Sequence, residues 1–405
     1  MPFRIALSGL NAASSDLSIT ANNIANANTY GFKESRAEFA DVFAAGNASL
    51  STSISGSGVR LTGVSQTFSQ GNIDFTNNAL DLAIAGEGFF RLSDSGSAVY
   101  SRAGNFSLDR EGFLVNPQGS KLQGFPIADN GTVNSGLLTD LRVVVGTSAP
   151  RESTNADLGF NLPADAPLPE NAVFDPLDPS SYNHTTSTTI YDTLGAPHTQ
   201  TYYLTKQPAD NTWQAYTYID NNQVGAPQTL EFSQDGTLAT PAGGLVTLAS
   251  YDPMNGAAPI DMTLNFNETT QYGAQFAVNN LSQDGYTTGR LSGVDVSSTG
   301  LIFARFTNGQ STSLGKVALS RFVNPNGLDQ RSDTSWAESF ESGDVVLGEA
   351  GTASFGLIQS GALEASNVDL TEQLVNMITA QRNFQSNAQM ITTADQVTQT
   401  VLNIR

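Results

Sequence analysis

Large apolar residues recur every seven positions near both ends of the chain, and the two repeats predict its longest helices. Toward the C-terminus, Leu370, Met377, Phe384 and Ile391 keep that spacing, with Leu374, Ala388 and Leu402 on the interleaved positions four further on. A period near 3.5, unbroken by Pro or Gly, predicts a helix with a narrow apolar seam. Ser366, Asn367 and Asp369 stand ahead of it as N-caps, which predicts a start near Val368. At the other end Phe3, Leu10, Leu17 and Ile24 repeat by seven, with Ala6, Ala13, Thr20 and Ala27 three residues after each. Residues 3–27 therefore read as one helix, about 37 Å long. Asn22, Asn23, Asn26 and Asn28 crowd its end, and Gly31 is its limit.

Between the seams the period changes. Residues 32–43 mix aromatic and charged side chains and read as a short helix or turn; the Ser/Thr/Gly/Ala run over 46–63 reads as a loop or extended arm. Strand patterns then take over, with Leu82 and Ile84 ahead of Gly86-Glu87-Gly88, followed by Phe89, Phe90 and Leu92. Apolar pairs over 106–108 and 113–115 flank Asp109-Arg110-Glu111-Gly112, a hairpin signal with Gly free to take positive φ. Six of the sixteen prolines fall between residues 149 and 180, which marks a connecting stretch. Strand-like content resumes over 201–205, 213–219 and the alternating Met262, Leu264 and Phe266, then over 301–306 and 317–322.

The expected fold is mostly β with long terminal α-helices of coiled-coil character. Residues 1–30 with 366–405 are read as a helical assembly domain and 31–70 as a linker or extended arm. Residues 71–145 with 286–365 make a split β domain, and 146–285 an inserted outer β domain. If the helices pair, the first and last β blocks must meet as well.

Composition narrows the function by exclusion. Thirty-eight acidic against eighteen basic residues give a net charge of -20, which argues against nucleic acid and anionic membrane as partners. The absence of cysteine removes disulfides, thiolate metal sites and thiol nucleophiles together. No stretch reaches the ~20 apolar residues of a membrane span, and no cleavable secretory signal is read at the N-terminus.

Catalytic inventory is equally thin. His184 and His198 sit among Thr, Tyr and Pro and read as surface loop residues; Asp129-Asn130-Gly131 reads as a turn rather than a calcium loop. Neither G-x-S-x-G nor a phosphate-binding glycine motif is completed. Tyr202, Tyr203, Tyr216 and Tyr218 could stack a sugar or base, though alternating strand residues more often pack a sheet. No enzyme activity, cofactor or metal site is expected. The terminal seams carry the remaining signal. An isolated helix of this length is marginal in water, and a seam two positions wide buries little in a single pair. The helices are therefore expected to be loose in the monomer and to order when many chains stack them.

Four motifs, in order, resemble the axial rod and hook subunits of the bacterial flagellum. The first is Asn22-Asn23-Ile24-Ala25-Asn26-Ala27-Asn28-Thr29-Tyr30-Gly31-Phe32-Lys33. Residues 80–90, ending Gly86-Glu87-Gly88-Phe89-Phe90, and residues 100–114, starting Tyr100-Ser101-Arg102, are the second and third. The fourth is Ser366-Asn367-Val368-Asp369-Leu370 with residues 377–384. Ser282-Gln283-Asp284-Gly285 and residues 322–328 are similar to the hook proteins in particular; distal rod proteins share the ends but lack the insert.

The resemblance implies a subunit exported unfolded by the flagellar type III apparatus without a cleaved signal. It implies polymerisation outside the cell into a curved hollow tube that joins rod, hook-cap and hook-filament junction proteins and transmits torque as a universal joint. Terminal helices would line the tube, through Phe3, Leu10, Leu17, Ile24, Leu370, Leu374, Met377, Phe384, Ile391 and Leu402. Residues 46–63 would act as a hinge between layers. Asn22, Asn23, Asn26, Gly31, Phe32, Gly86, Gly88, Phe89, Phe90, Asn367 and Asp369 are the motif positions. Another flagellar axial protein, or an adhesive module carried by the insert, is the alternative.

Overall fold

A computed structural model of the chain describes residues 2–42, 56–128, 131–143, 146–352 and 354–403, the side chains of 2 and 401–403 excepted. Helix α1 spans Pro2–Ala25, with Pro at the first helical position, where no N–H is needed. Helix α2 spans Leu370–Asn403. It begins two residues later than expected because Asp369, not Asn367, caps it. The Asp369 carboxylate accepts from the backbone N–H of Thr371 at 2.7 Å and of Glu372 at 3.2 Å.

Residues 35–41 need correction. Strand β1, Ser35–Asp41, pairs antiparallel with strand β2, Val59–Gln66, so the helix-or-turn reading fails over 35–41, and of the 46–63 span read as a loop or extended arm, residues 59–63 form the start of β2. Neither strand buries a residue, so the pair lacks the one-sided alternation by which strands are recognised. Residues 43–55, most of the proposed hinge, lie outside the described residues.

The chain divides into two compact units, one made of residues 1–145, 293–305 and 311–405, the other of 146–292 and 306–310. In the first, strands from early and late in the chain interleave. Ile73–Phe75 pairs with Ala362–Glu364, Leu82–Ala85 with Leu357–Ser360, and Ser97–Ser101 with Ser335–Ala337. Phe89–Asp94 reaches Ser311–Arg321 through Phe90 opposite Leu319. The Asp109–Gly112 turn joins Ser107–Leu108 to Leu114–Val115, closed by Asp109 accepting from the Phe113 N–H at 2.6 Å. The core here is aromatic: Phe68, Phe89 and Trp336 meet edge to face at 5.6–5.7 Å, and Tyr100 meets Phe322 at 4.8 Å.

In the second unit an antiparallel meander runs His184–Tyr191, Pro197–Lys206, Thr212–Ile219, Gln228–Phe232, Leu238–Thr240. A further sheet centres on Asn155–Pro163, parallel to Thr263–Asn265 and Thr270–Tyr272 and antiparallel to Ala277–Gln283. Alternate residues of both sheets, among them Phe160, Leu162, Tyr202, Leu204, Trp213 and Phe266, share one buried cluster. His184 and His198 are strand residues, not loop residues. His184 stacks on Phe276 at 4.3 Å, and His198 is buried.

Candidate functional site

The terminal helices pair within one chain and run antiparallel, since Asn23 bonds Gln373 at one end and Gly9 lies against Asn387 toward the other. A Cβ at Gly9 would come within 2.5 Å of the Asn387 side chain. The structure thus pairs the two helices within one chain, whereas the sequence reading expects them to be loose in the monomer. What joins them is not the large repeat. Ala6, Ala13, Thr20 and Asn23 are the buried residues of α1, and Gln373 and Ala380 those of α2. Small side chains at Ala6, Ala13, Thr20 and Ala380 let the two backbones approach, so on α1 the contact falls on the interleaved positions and on α2 it falls on neither named set.

The large residues lie to the side. Phe3 is 52% exposed, Leu374 51%, and Leu370 and Phe384 are also exposed; Leu10, Leu17, Ile24, Met377 and Ile391 are half-buried. The side chain of Leu402 is outside the described residues. In this register α1 starts opposite residue 394, and the last nine or so residues of α2 overhang it by about 13 Å. Phe3, Met390, Ala394 and Val397 line a groove of about 990 Å³ there.

Below the helices, two polar networks hold the join, and most of the motif positions belong to them. In the first, Asn23 Nδ2 donates to Ser35 O at 2.8 Å and Asn23 Oδ1 accepts from Ser35 N at 3.0 Å. Gln373 Nε2 donates to Glu34 at 2.7 Å. Asn367 accepts from Glu34 N and donates to Thr67 O, both at 2.8 Å. Asn26 ties back to Asn22, and Thr29 to Asn26, closing the turn after α1. Gly31 follows with φ +70, and a Cβ there would meet Ala103 N at 2.5 Å.

The second network was not anticipated. Glu364, fully buried, accepts from Lys33 Nζ at 2.6 Å and from Arg102 Nη1 at 3.3 Å. Its remaining capacity is met by Gly71 N at 3.0 Å, while Lys33 also donates to Ser69 O and Arg102 to Gly86 O. Burial draws the Lys33 ammonium below its ordinary range, against the upward pull of Glu364, and burial likewise lowers Arg102. Lys33 and Arg102 lie inside the first and third motifs, so their position was legible; their shared partner, 331 residues from Lys33, was not. Gly86 has φ +121 and Gly88 φ +130 beside this cluster, with Phe89 and Phe90 buried next in sequence. Phe32 is buried too.

In the second unit His198 lies between two carboxylates, Nδ1 at 2.5 Å from Asp220 and Nε2 at 3.3 Å from Asp192. Burial alone would depress the imidazole, but the bonds and charge of Asp220 and Asp192 outweigh it and hold His198 above the ordinary histidine value. Tyr202 points into the core, whereas Tyr203, Tyr216 and Tyr218 lie against Phe174, which stacks on Tyr216 at 3.8 Å. Among the described residues no group of three or more His, Cys, Asp or Glu could hold a metal ion, and no helix is long and apolar enough to cross a membrane.

Four family matches together cover residues 3–33, 83–286 and 359–404. Residues 3–33 match the flagella basal body rod protein family and 83–166 the flagellar hook protein FlgE/F/G D1 domain. Residues 161–286 match the flagellar basal body protein FlaE D2 domain, and 359–404 the flagellar basal body rod FlgEFG protein C-terminal region. The flagellar hook protein FlgE of Escherichia coli is 40% identical over 414 residues, covering 100% of both chains. That of Salmonella typhimurium is 39% identical over 416 residues with the same coverage. That of Rhizobium meliloti is 33% identical over 99% of this chain and 98% of its own. Among solved structures, the Helicobacter pylori flagellar hook protein FlgE2 aligns with a TM-score of 0.52 at 16% identity, covering 72% of this chain and 100% of that one.

Proposed function

The chain belongs to the flagellar hook protein family, and from that premise we propose that its paired terminal helices are the surface through which its copies polymerise. It is a structural subunit of the flagellar hook, within an axial polymer that adjoins rod and filament proteins. The full-length relatives are hook proteins, so neither the distal-rod nor the adhesive alternative is favoured.

One observation carries the assembly reading. The α1–α2 pair uses its small residues on itself and leaves Phe3, Leu7, Leu370, Leu374, Ile378, Phe384 and Met390 exposed. Each such side chain gains about 1.5–3 kcal/mol on full burial, and an unpartnered apolar face of that length on a soluble chain is an interaction surface. In this reading the helices line the tube, residues 71–145 with 286–365 form the layer around them, and 146–285 lie outermost. Bending as a universal joint then leaves the inner helices engaged while outer contacts slide. Export through the flagellar type III apparatus without a cleaved signal, and contact with hook-cap and hook-filament junction proteins, belong to the same reading.

Concentrating the purified chain and imaging it by electron microscopy tests the reading. Curved tubes are expected from the native chain. Leu374→Asp and Phe384→Asp should remain monomeric with an unchanged circular dichroism spectrum, because both positions are already exposed in the monomer. Normal tubes from both variants would sink the assignment.

A further inference from the structure

One place on the buried face of the meander is polar. Gln200 and Tyr202 are alternate residues of Pro197–Lys206, both fully buried, and Thr217, also buried, stands directly opposite Tyr202 on Thr212–Ile219. Gln200 faces Ile219 in the same register, which makes Thr217 its diagonal neighbour. The Gln200 amide nitrogen and oxygen, the Tyr202 hydroxyl and the Thr217 hydroxyl are all shielded from solvent, and among the described residues none of them has a hydrogen-bond partner. Burial pushes the Tyr202 hydroxyl far above its ordinary range, so it keeps its proton to donate. Protein interiors rarely leave such groups unmet, and where no protein atom serves, a buried water does.

We propose that Gln200, Tyr202 and Thr217 bind ordered water between the two sheets of the second unit. The chemistry of the ligand follows from theirs. Gln200 offers a donor and an acceptor side by side, and each hydroxyl both donates and accepts, so the occupant must do the same. A cation would meet the donor hydrogens of the Gln200 amide, and an anion its oxygen. Phe160, on the facing sheet, has its ring 6.4 Å from that of Tyr202, so the sheets touch beside the site and a larger molecule would have to part them. A polar route leads in from the surface. His198 precedes Gln200 by two residues on the same face and is bonded to Asp220, which is exposed. On the other flank Thr188 and Thr186, both half-buried, stand opposite Gln200 and Tyr202 on His184–Tyr191 and continue the polar strip.

Solution NMR on the full chain, labelled at glutamine and dilute enough to be monomeric, tests the site. The Gln200 side-chain amide, identified by its cross-peaks to Ile219, should show cross-peaks to water of opposite sign in NOE and ROE spectra, the signature of long-lived bound water rather than of proton exchange. Tyr202→Phe and Thr217→Val each delete one bond to that water. Each should lower the calorimetric melting midpoint of the second unit by about 2–4 °C. A dry core predicts the reverse, because losing an orphan hydroxyl relieves the fold. A direct Gln200–Tyr202 bond in solution would also lower the Tyr202→Phe midpoint, but it would leave the Gln200 amide without a water cross-peak. A missing cross-peak in the native chain, or higher midpoints for both variants, overturns the proposal.

Discussion

Glu364 is the carboxylate that pairs with both buried cations, Lys33 and Arg102, and its loss should be felt by the whole unit. With Glu364→Gln, Lys33 and Arg102 lose the carboxylate they share, and Glu87 alone acts on Arg102 from a distance. Breaking a buried ion pair from one side costs about 3–5 kcal/mol. Urea unfolding should show that loss; a change under about 1 kcal/mol would mean that water reaches the cluster and replaces the carboxylate. His198 gives a second residue-scale prediction, of opposite pH sense to an acid-sensitive carboxylate. Its value is raised in the fold, so the stabilisation is full below about 6.5, the unfolded value. It fades as pH rises through the higher folded value. The neutral ring has a single donor for two carboxylates, and the longer contact, to Asp192, is the one that goes. Hydrogen exchange at the Leu194 and Ala196 amides, which Asp192 accepts, should therefore quicken between pH 6 and 8.5 beyond the intrinsic increase. His198→Gln should remove the excess.

At the scale of elements, the helix pair separates what a heptad predicts from what it does not. The repeat of Phe3, Leu10, Leu17 and Ile24 correctly signals a helix, since period alone fixes that. It does not say which stripe faces the partner within the chain, because that depends on how closely two backbones can approach. Ala13 is the discriminating position. Ala13→Leu should separate the helices and cost about 1–3 kcal/mol by overpacking. Leu17→Ala, at a half-buried position, should cost less; the reverse order in thermal unfolding would restore the large repeat as the internal seam. The β1–β2 hairpin was illegible for a related reason: with no buried face it leaves no alternation to read. The polar joints were legible only as motifs. Asn23, Asn367 and Lys33 could be quoted from the sequence, but Gln373 and Glu364 are chosen by tertiary contact hundreds of residues away. Asp284 shows the same within the second unit. Burial would raise its carboxyl, yet donors on Thr154 and Asn155 hold it down at about 2.

For the whole molecule, the charge is unevenly shared. Residues 146–292 hold fifteen acidic and three basic side chains, a net of -12 out of -20. If this unit forms the outer layer, each added subunit brings that charge beside its neighbours, and repulsion opposes growth of the tube. At about 0.15 M salt the screening length is near 8 Å, and at about 0.01 M it is near 30 Å, so polymerisation should be slow at low salt and accelerate as salt is added. The insert, not the helices, should be responsible. Asp165, Glu170, Asp210, Asp235 and Asp261 are exposed and make no side-chain hydrogen bond or ion pair among the described residues, so their removal should leave the fold intact. The combined variant Asp165→Asn, Glu170→Gln, Asp210→Asn, Asp235→Asn, Asp261→Asn should polymerise faster than the native chain at low salt and depend less on added salt. Light scattering across a salt series measures both. An unchanged salt dependence would mean that these carboxylates do not face neighbouring copies, and the outermost placement of the insert would have to be given up.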